Sequence, residues 1–487
     1  MDDQGKSHSS IVPEKSPNKA QAAEGMEGRG LAKGKTLEQN TLRTQGRDSV
    51  QRALERIRKA AKDKGKRFTA LYHHVYSLEL LRKSYFDLKR KAAPGIDGET
   101  WRHYGEHLDE HLKDLSERLK RGAYRASPAR RAYIPKTDGR QRPIGLLVLE
   151  DKIVQRAVTE VLNAIYEENF LGFSYGFRPS RSAHQALDIL TVGLITRKVS
   201  WVLDADILKF FDTLDQKWLV TCVERRIGDR RIVRLIQKWL KAGVLEEGKW
   251  TLSEAGTVQG GSISPLLANI YLHYVFDLWV YHWRKTRAEG DVIVVRYADD
   301  SIAGFQYRHE AERFLADLRV RFQRFGLALH PDKTRILEFG RFAREDRSRR
   351  GEKKPETFNF LGFTHICGKT RSGKFTVLRK TMRTRWQAKL KEVHQELKRR
   401  MHDPIPEQGA YLRAVVRGHI RYYGVPMNGR SLLAFRWKVY WLWKNVLMRR
   451  SQRHRMTWDR MSRLVDRWLP PARICHPYSL DRVGVTT

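Results

Sequence analysis

Four consecutive β-branched residues, Val292-Ile293-Val294-Val295, run through Arg296-Tyr297-Ala298 and stop at the acidic pair Asp299-Asp300. β-Branched side chains favour a pleated strand. Adjacent carboxylates cannot continue such a strand into a core, so the chain must turn there and hold both acids at a hairpin tip. An earlier stretch, Trp201-Val202-Leu203-Asp204-Ala205-Asp206-Ile207, has the same strand character and ends on Asp206. Strand ends are rigid, and two-metal phosphoryl transfer needs hard anionic oxygens held a few ångströms apart. By itself Asp206 reads equally well as an ordinary turn aspartate. Set beside the acidic pair, it becomes the third carboxylate of one candidate site.

The charge narrows the partner. The 487 residues carry a formal net charge of +39, and a pI near 10.3 follows. Repulsion of that size is relieved by a polyanion, either nucleic acid or an anionic membrane surface. The basic residues recur along most of the chain and are not gathered on one amphipathic helix, which favours nucleic acid and argues against a membrane. The longest weakly charged stretch, Ile263–Trp283, contains Asn269, His273 and Asp277, so it reads as a buried helix and not a membrane span. Cys222, Cys367 and Cys475 have no zinc or redox spacing. They read as reduced thiols, and a cytoplasmic location is expected.

Organisation follows composition. Residues 1–47 have no apolar period and read as a disordered leader. Helical periodicity then appears at Leu54, Ile57 and Ala61 and again at Leu71, Val75, Leu78 and Leu81. Ala93–Gly98 is a loop, Arg131–Lys136 is strand-like, and Lys152–Tyr166 is a helix. From Arg379 onward the chain is helical and holds about 25 Lys and Arg against about seven acidic residues. Trp386, Trp437, Trp441, Trp443, Trp458 and Trp468 are interleaved with those cations. The spacing of Trp437, Val439 and Trp441 predicts core packing in preference to base stacking.

The motifs resemble those of one family. Tyr297-Ala298-Asp299-Asp300 is similar to the YxDD box of reverse transcriptases, and Asp206–Asp212 resembles their first catalytic motif. Gln259–Leu272 looks like the segment that contacts template and nucleotide. Arg131–Arg156, Phe173–Pro179, Phe358–Phe363 and Arg417–Tyr423 all resemble the bacterial group II intron reverse transcriptase/maturase family, in that family's order. The resemblance covers residues 50–480. Departures are Val258 in place of Pro, Ser262 in place of a β-branched apolar residue, Leu147 in place of Pro and Ser301 in place of Phe. None removes a candidate metal ligand.

The resemblance implies an α+β right-hand polymerase: fingers, an antiparallel-sheet palm and a C-terminal helical thumb that doubles as a maturase domain. The implied boundaries are 48–200 for fingers and N-terminal extension, 201–378 for the palm, 379–450 for the thumb, and 451–487 for a short DNA-binding segment. Asp206, Asp299 and Asp300 would be catalytic. With Ile207 they would hold two Mg²⁺ ions, for which Mn²⁺ could substitute. Asp204 reads as a supporting or salt-bridging residue. Phe211 is by its residues alone equally a core ring or a sugar contact; the resemblance makes it the ring beneath the incoming sugar, where it excludes a 2′-hydroxyl. Gln259 and Gly260 would face template and base pair. Arg131, Lys136, Arg140 and Arg142 would as a set bind the triphosphate or the template. Lys333 reads equally as an exposed loop lysine or as the family's late palm lysine. Arg417, Arg421, Arg449 and Arg450 would bind RNA. Expected partners are group II intron RNA, an RNA template with a DNA primer, dNTPs and target DNA. With no Cys pair after Pro477, no appended nuclease is expected. Two further readings stay open: a splicing cofactor with a vestigial polymerase, and a reverse transcriptase adopted for host defence or repair.

Overall fold

The computed structural model describes residues 35–135, 141–246, 249–251, 256–257, 260–370, 372–450 and 456–484, with side chains from residue 48 onward. Residues 1–34, Lys136, Arg140, Val258 and Gln259 lie outside that set, and so do the expectations placed on them. The first helix spans Lys35–Ala61, so part of the stretch read as a disordered leader is helical. It has Val50, Leu54, Ile57 and Ala61 in the core.

The strands are β1 (Ala129–Pro135), β2 (Gln141–Leu146), β3 (Trp201–Ala205), β4 (Val244–Glu246), β5 (Lys249–Thr251), β6 (Val292–Tyr297), β7 (Asp300–Phe305), β8 (Arg335–Glu338), β9 (Phe358–Phe360), β10 (Phe363–Lys369) and β11 (Phe375–Thr381). They form three sheets. The central one runs β6-β7-β3-β8 with every pair antiparallel. A second, β2-β1-β4-β5, includes the parallel pair β1/β4. The third, β11-β10-β9, is antiparallel.

The central sheet is covered on both faces, which is why β6 is a continuous apolar run and not an alternating one. Leu203, Ala205, Val292, Val294, Ala303 and Phe305 point into the larger core, shared with the helices Leu149–Tyr166 and Arg308–Arg324. Val202, Val295, Ile302 and Leu337 point the other way, against the helix Ala183–Thr196 and the third sheet. The helix Ala183–Thr196 begins on a reciprocal capping box between Ser182 and Gln185. Leu149–Tyr166 starts a little before the predicted Lys152 and has Glu150 and Asp151 in its first turn, where the helix dipole favours negative charge.

Helices Arg383–Arg399, Ile405–Tyr423, Gly429–Met448 and Trp458–Trp468 enclose a separate core around Val416, Phe435, Val439 and Trp443. Among the described residues, several contacts tie the C-terminal region to the rest, including the Tyr422 hydroxyl donating to the Leu361 carbonyl at 2.8 Å. Asn428, buried, bonds the backbone N–H and hydroxyl of Thr381 at the end of β11. Asp188, buried on Ala183–Thr196, accepts from Arg379, Ser479 and Arg482, each at 2.8 Å. The last two lie at the short helix Ser479–Val483.

Candidate active site

The hairpin expected at the acidic pair is present. Tyr297 pairs with Asp300, leaving a two-residue loop of Ala298 and Asp299. Ala298 has φ +58°, a left-handed conformation that an alanine adopts only at a cost. Its surroundings hold it there. Arg296, 1% exposed, sends Nη1 to the Ala298 carbonyl at 2.9 Å and to Asn269 Oδ1 at 3.1 Å. Its Nε and Nη2 close a bidentate pair with Asp277 at 2.7 and 2.6 Å, and Nη2 also meets Ser174 Oγ at 2.7 Å. Asn269 in turn donates to the Gly176 carbonyl at 2.7 Å. A Cβ on Gly176 would stand 2.2 Å from the Ala298 nitrogen, so only glycine lets this loop pass beneath the turn.

Asn269 and Asp277 both reach Arg296 because their helix is not purely α. Ser264–Leu272 and Leu278–Thr286 are joined by a π turn, His273–Asp277. Eight residues apart in an unbroken α-helix, the two side chains would diverge by about 80°. One extra residue in the turn brings them to within about 20°. Two of the residues that argued against a membrane span, Asn269 and Asp277, thus lie beneath the acidic hairpin. Sequence reading missed this network; its signal was an Arg inside a β-branched strand and an Asp inside an apolar helix.

Asp206 follows β3, the strand paired with β7, so all three carboxylates meet at one end of the central sheet. Its backbone carbonyl accepts from His330 N at 2.8 Å, and Lys333 Nζ lies 2.6 Å from its Oδ2. Lys333 is therefore paired at the site and not an idle loop lysine. The acids sense one another. Asp300 is pushed up to about 7 by burial, then by Asp299, Asp206 and Asp204. Its own side chain is exposed at the tip, with the other acids and the sheet end crowded behind it. Burial first, then Asp206, also raises Asp299, against the pull of Arg142 and Arg296. Asp204 rises to about 6 by burial, opposed by Arg335. Among the described residues no three or more His, Cys, Asp or Glu side chains are arrayed to hold a metal ion. Ile207 is buried and bridges Leu329, so it could offer an ion only its backbone.

Phe211 is half-buried, at the start of the short helix Phe210–Thr213, its ring edge-on to Phe210 at 5.4 Å. Phe210 is the core ring of the pair. At Gly260, with φ +120°, the missing Cβ would lie 2.5 Å from the Gly145 carbonyl of β2. Close packing of two backbones is what requires glycine there. Arg142, exposed on β2, projects its charge onto Asp299, whereas Arg131 is engaged with Glu246 at 3.7 Å.

In the helical bundle Arg417, Arg421 and Arg449 are exposed. Arg450 is not an outward-facing cation: its guanidinium bonds the Met401 carbonyl at 2.6 Å and that of Asp403, bracing the end of the preceding helix. The core placement expected of Trp437 is also overturned. It is 56% exposed, while Val439 and Trp443 are buried on the opposite face.

Residues 134–365 match the family described as reverse transcriptase (RNA-dependent DNA polymerase). Protein YkfC of Escherichia coli (strain K12) is 37% identical over 225 residues, covering 43% of this chain and 58% of that protein. Group II intron-encoded protein LtrA of Lactococcus lactis subsp. cremoris is 38% identical over 225 residues, covering 45% of this chain and 37% of that protein. Nuclear intron maturase 1, mitochondrial, of Arabidopsis thaliana is 27% identical over 94 residues, covering 19% and 13%. The chain thus spans only part of the length of the curated relatives it matches. The acidic hairpin tip and the β3 end both fall inside the matched segment, which is similar to reverse transcriptases and to proteins named for group II introns and intron maturation.

Proposed function

We propose that this chain is an RNA-directed DNA polymerase that copies group II intron RNA and assists its splicing. The observation that carries the reading is the meeting of Asp206, Asp299 and Asp300 at one end of an antiparallel sheet, with burial first and then the neighbouring carboxylates raising Asp300. Carboxylates in that condition form a hard-oxygen set that a divalent cation would relieve. Asp206, Asp299, Asp300 and the Ile207 backbone would hold two Mg²⁺, or Mn²⁺ in their place. When bound, the ions would lower the pKa of the primer 3′-hydroxyl and neutralise the departing pyrophosphate.

The chain's own groups do the rest. Arg296 keeps the hairpin tip in its strained form, so the carboxylates need no rearrangement when substrate arrives. Lys333, 2.6 Å from Asp206, would donate to the leaving group. Arg142 would draw the dNTP triphosphate toward Asp299. Phe211 would lie under the sugar and exclude ribonucleotides. In this reading residues 48–200 are the fingers, 201–378 the palm, and 379–450 the thumb and RNA-binding surface, with 451–487 reaching target DNA. Arg417, Arg421 and Arg449 suit phosphate contact. Free thiols at Cys222, Cys367 and Cys475 suit a cytoplasmic protein, and no described helix is long and apolar enough to cross a membrane.

The test pairs two assays: extension of a DNA primer annealed to RNA, and intron self-splicing at low Mg²⁺ with protein added. Wild type should support both. Asp299→Ala should abolish extension while leaving RNA affinity nearly unchanged, since a metal ligand acts chiefly in the transition state. Extension by the variant within tenfold of wild type refutes the assignment of the carboxylates.

A further inference from the structure

Among the described residues, nothing packs over the outer face of the helix Gly429–Met448. Arg430, Leu433, Trp437, Lys438, Asn445, Met448 and Arg449 are exposed along it, at the three- and four-residue spacing of a single helical stripe. Leu433 is 59% exposed and Trp437 56%. Trp458, from the start of the next helix, is 59% exposed and joins the same patch. Indoles that open to water cost solvation and normally mark a binding surface.

The rings are held, not loose. Trp437 meets Trp441 edge to face at 5.6 Å, and Trp441 meets Trp458 in the same way at 5.7 Å. Lys444, itself buried, sets its Nζ 3.4 Å from the Trp458 ring centroid and 5.2 Å from that of Trp441. Lys438 stands over Trp437 at 5.6 Å. Gly429–Met448 contains no acidic residue at all. The face therefore offers rigid aromatic planes among cations.

We propose that this stripe is a platform for unpaired RNA bases, with Trp437 and Trp458 stacking bases while Arg430, Lys438 and Arg449 bind the flanking phosphates. The proposal rests on the reading of the chain as an RNA-binding protein and goes beyond it by naming the RNA's form. Aromatic planes can only reach bases that are not already stacked in a duplex. Charge complementarity selects the occupant: the cations of Gly429–Met448, a helix without a carboxylate, match a phosphate backbone, and Asp459 beside Trp458 is a lone acid at the patch edge. A second copy of the chain would bring another +39 to the same face.

The probes are a short oligoadenylate and a blunt RNA duplex of equal length, tested against the full chain by tryptophan quenching and filter binding. Trp437→Ala and Trp458→Ala should each weaken oligoadenylate binding at least about fivefold. Their salt dependence should be unchanged, because no cation is lost. Duplex binding and primer extension should stay at wild-type level, and Trp437→Phe should recover part of the loss. Unchanged oligoadenylate affinity, or an equal loss for duplex, overturns the proposal. So does a dimer, seen by sedimentation, that Trp437→Ala dissociates. Binding to phosphatidylserine vesicles that the variants lose, with oligoadenylate binding intact, overturns it in favour of a membrane contact. If wild type binds no RNA of either form, it is the functional reading itself that fails.

Discussion

Removing Asp277 tests the network beneath the hairpin. Asp277→Ala deletes two charge-assisted hydrogen bonds of 2.7 and 2.6 Å and leaves Arg296, 1% exposed, with only neutral acceptors: Asn269, Ser174 and the Ala298 carbonyl. Breaking one side of a buried ion pair costs about 3–5 kcal/mol. Adding Arg296→Met removes the stranded charge and should recover part of that. Recovery cannot be complete, because buried acceptors at Ala298, Asn269 and Ser174 then lose their donor, at about 1–3 kcal/mol each. The two single variants and the double form a cycle whose coupling should be about 2–4 kcal/mol. Urea unfolding followed by tryptophan emission measures it. Primer extension at a temperature where all variants remain folded should fall at least tenfold in the double variant, since nothing then pins Ala298. A cost under about 1 kcal/mol for Asp277→Ala, or a stable double variant with full activity, refutes the claim that Arg296 positions the turn.

Phe211→Ala should raise ribonucleotide incorporation relative to dNTP; an unchanged ratio in competitive extension would make Phe211 merely a packed ring. Gly260→Ala should lose about 1–3 kcal/mol, because its Cβ would stand 2.5 Å from the Gly145 carbonyl at a φ of +120°; a melting point within a degree of wild type would contradict that contact. His365 lies fully buried, stacked on Phe358 at 4.7 Å, and burial, then the charge of Arg379, pushes it down to about 3. The unfolded chain takes up a proton near pH 6.5 that the folded one refuses, so the neutral histidine's contribution is intact above 6.5 and declines as pH falls toward 3. His365→Phe should therefore gain stability over wild type as pH falls from 6.5 to 5, by up to about 1.4 kcal/mol per pH unit; a pH-independent difference between the two unfolding curves would refute this.

The carboxylates were legible because their signal is local: each follows a strand whose residues declare themselves within six positions. The structural support was not, because its parts are distant. Ser174, Arg296 and the helix bearing Asn269 and Asp277 are three separate segments, and the polar residues stood out in their apolar runs without showing that they meet. The Gly260–Gly145 contact has no sequence signature at all beyond a pair of glycines. Trp437 was misplaced for a specific reason. Two positions along a helix turn through about 200°, so Trp437 and Val439 cannot share a face. Arg450 looked like a solvent cation at a helix end, but the open carbonyls at Met401 and Asp403 gave it a nearer use.

The clamp on Asp188 has a consequence for synthesis. Its carboxylate is buried, yet Arg482, which satisfies one oxygen, lies 294 residues later in the chain. At roughly 5–20 residues per second, a ribosome needs on the order of 15–60 s to bridge that interval. Throughout it the nascent helix Ala183–Thr196 carries an acid it cannot yet bury with its full set of partners. That region should stay loosely closed, open to chaperones and to proteases, until the Ser479–Val483 helix emerges and docks. Pulse-chase proteolysis of stalled ribosome complexes would see protection of Ala183–Thr196 arrive late, with the last helix, and not when the central sheet's own strands are complete.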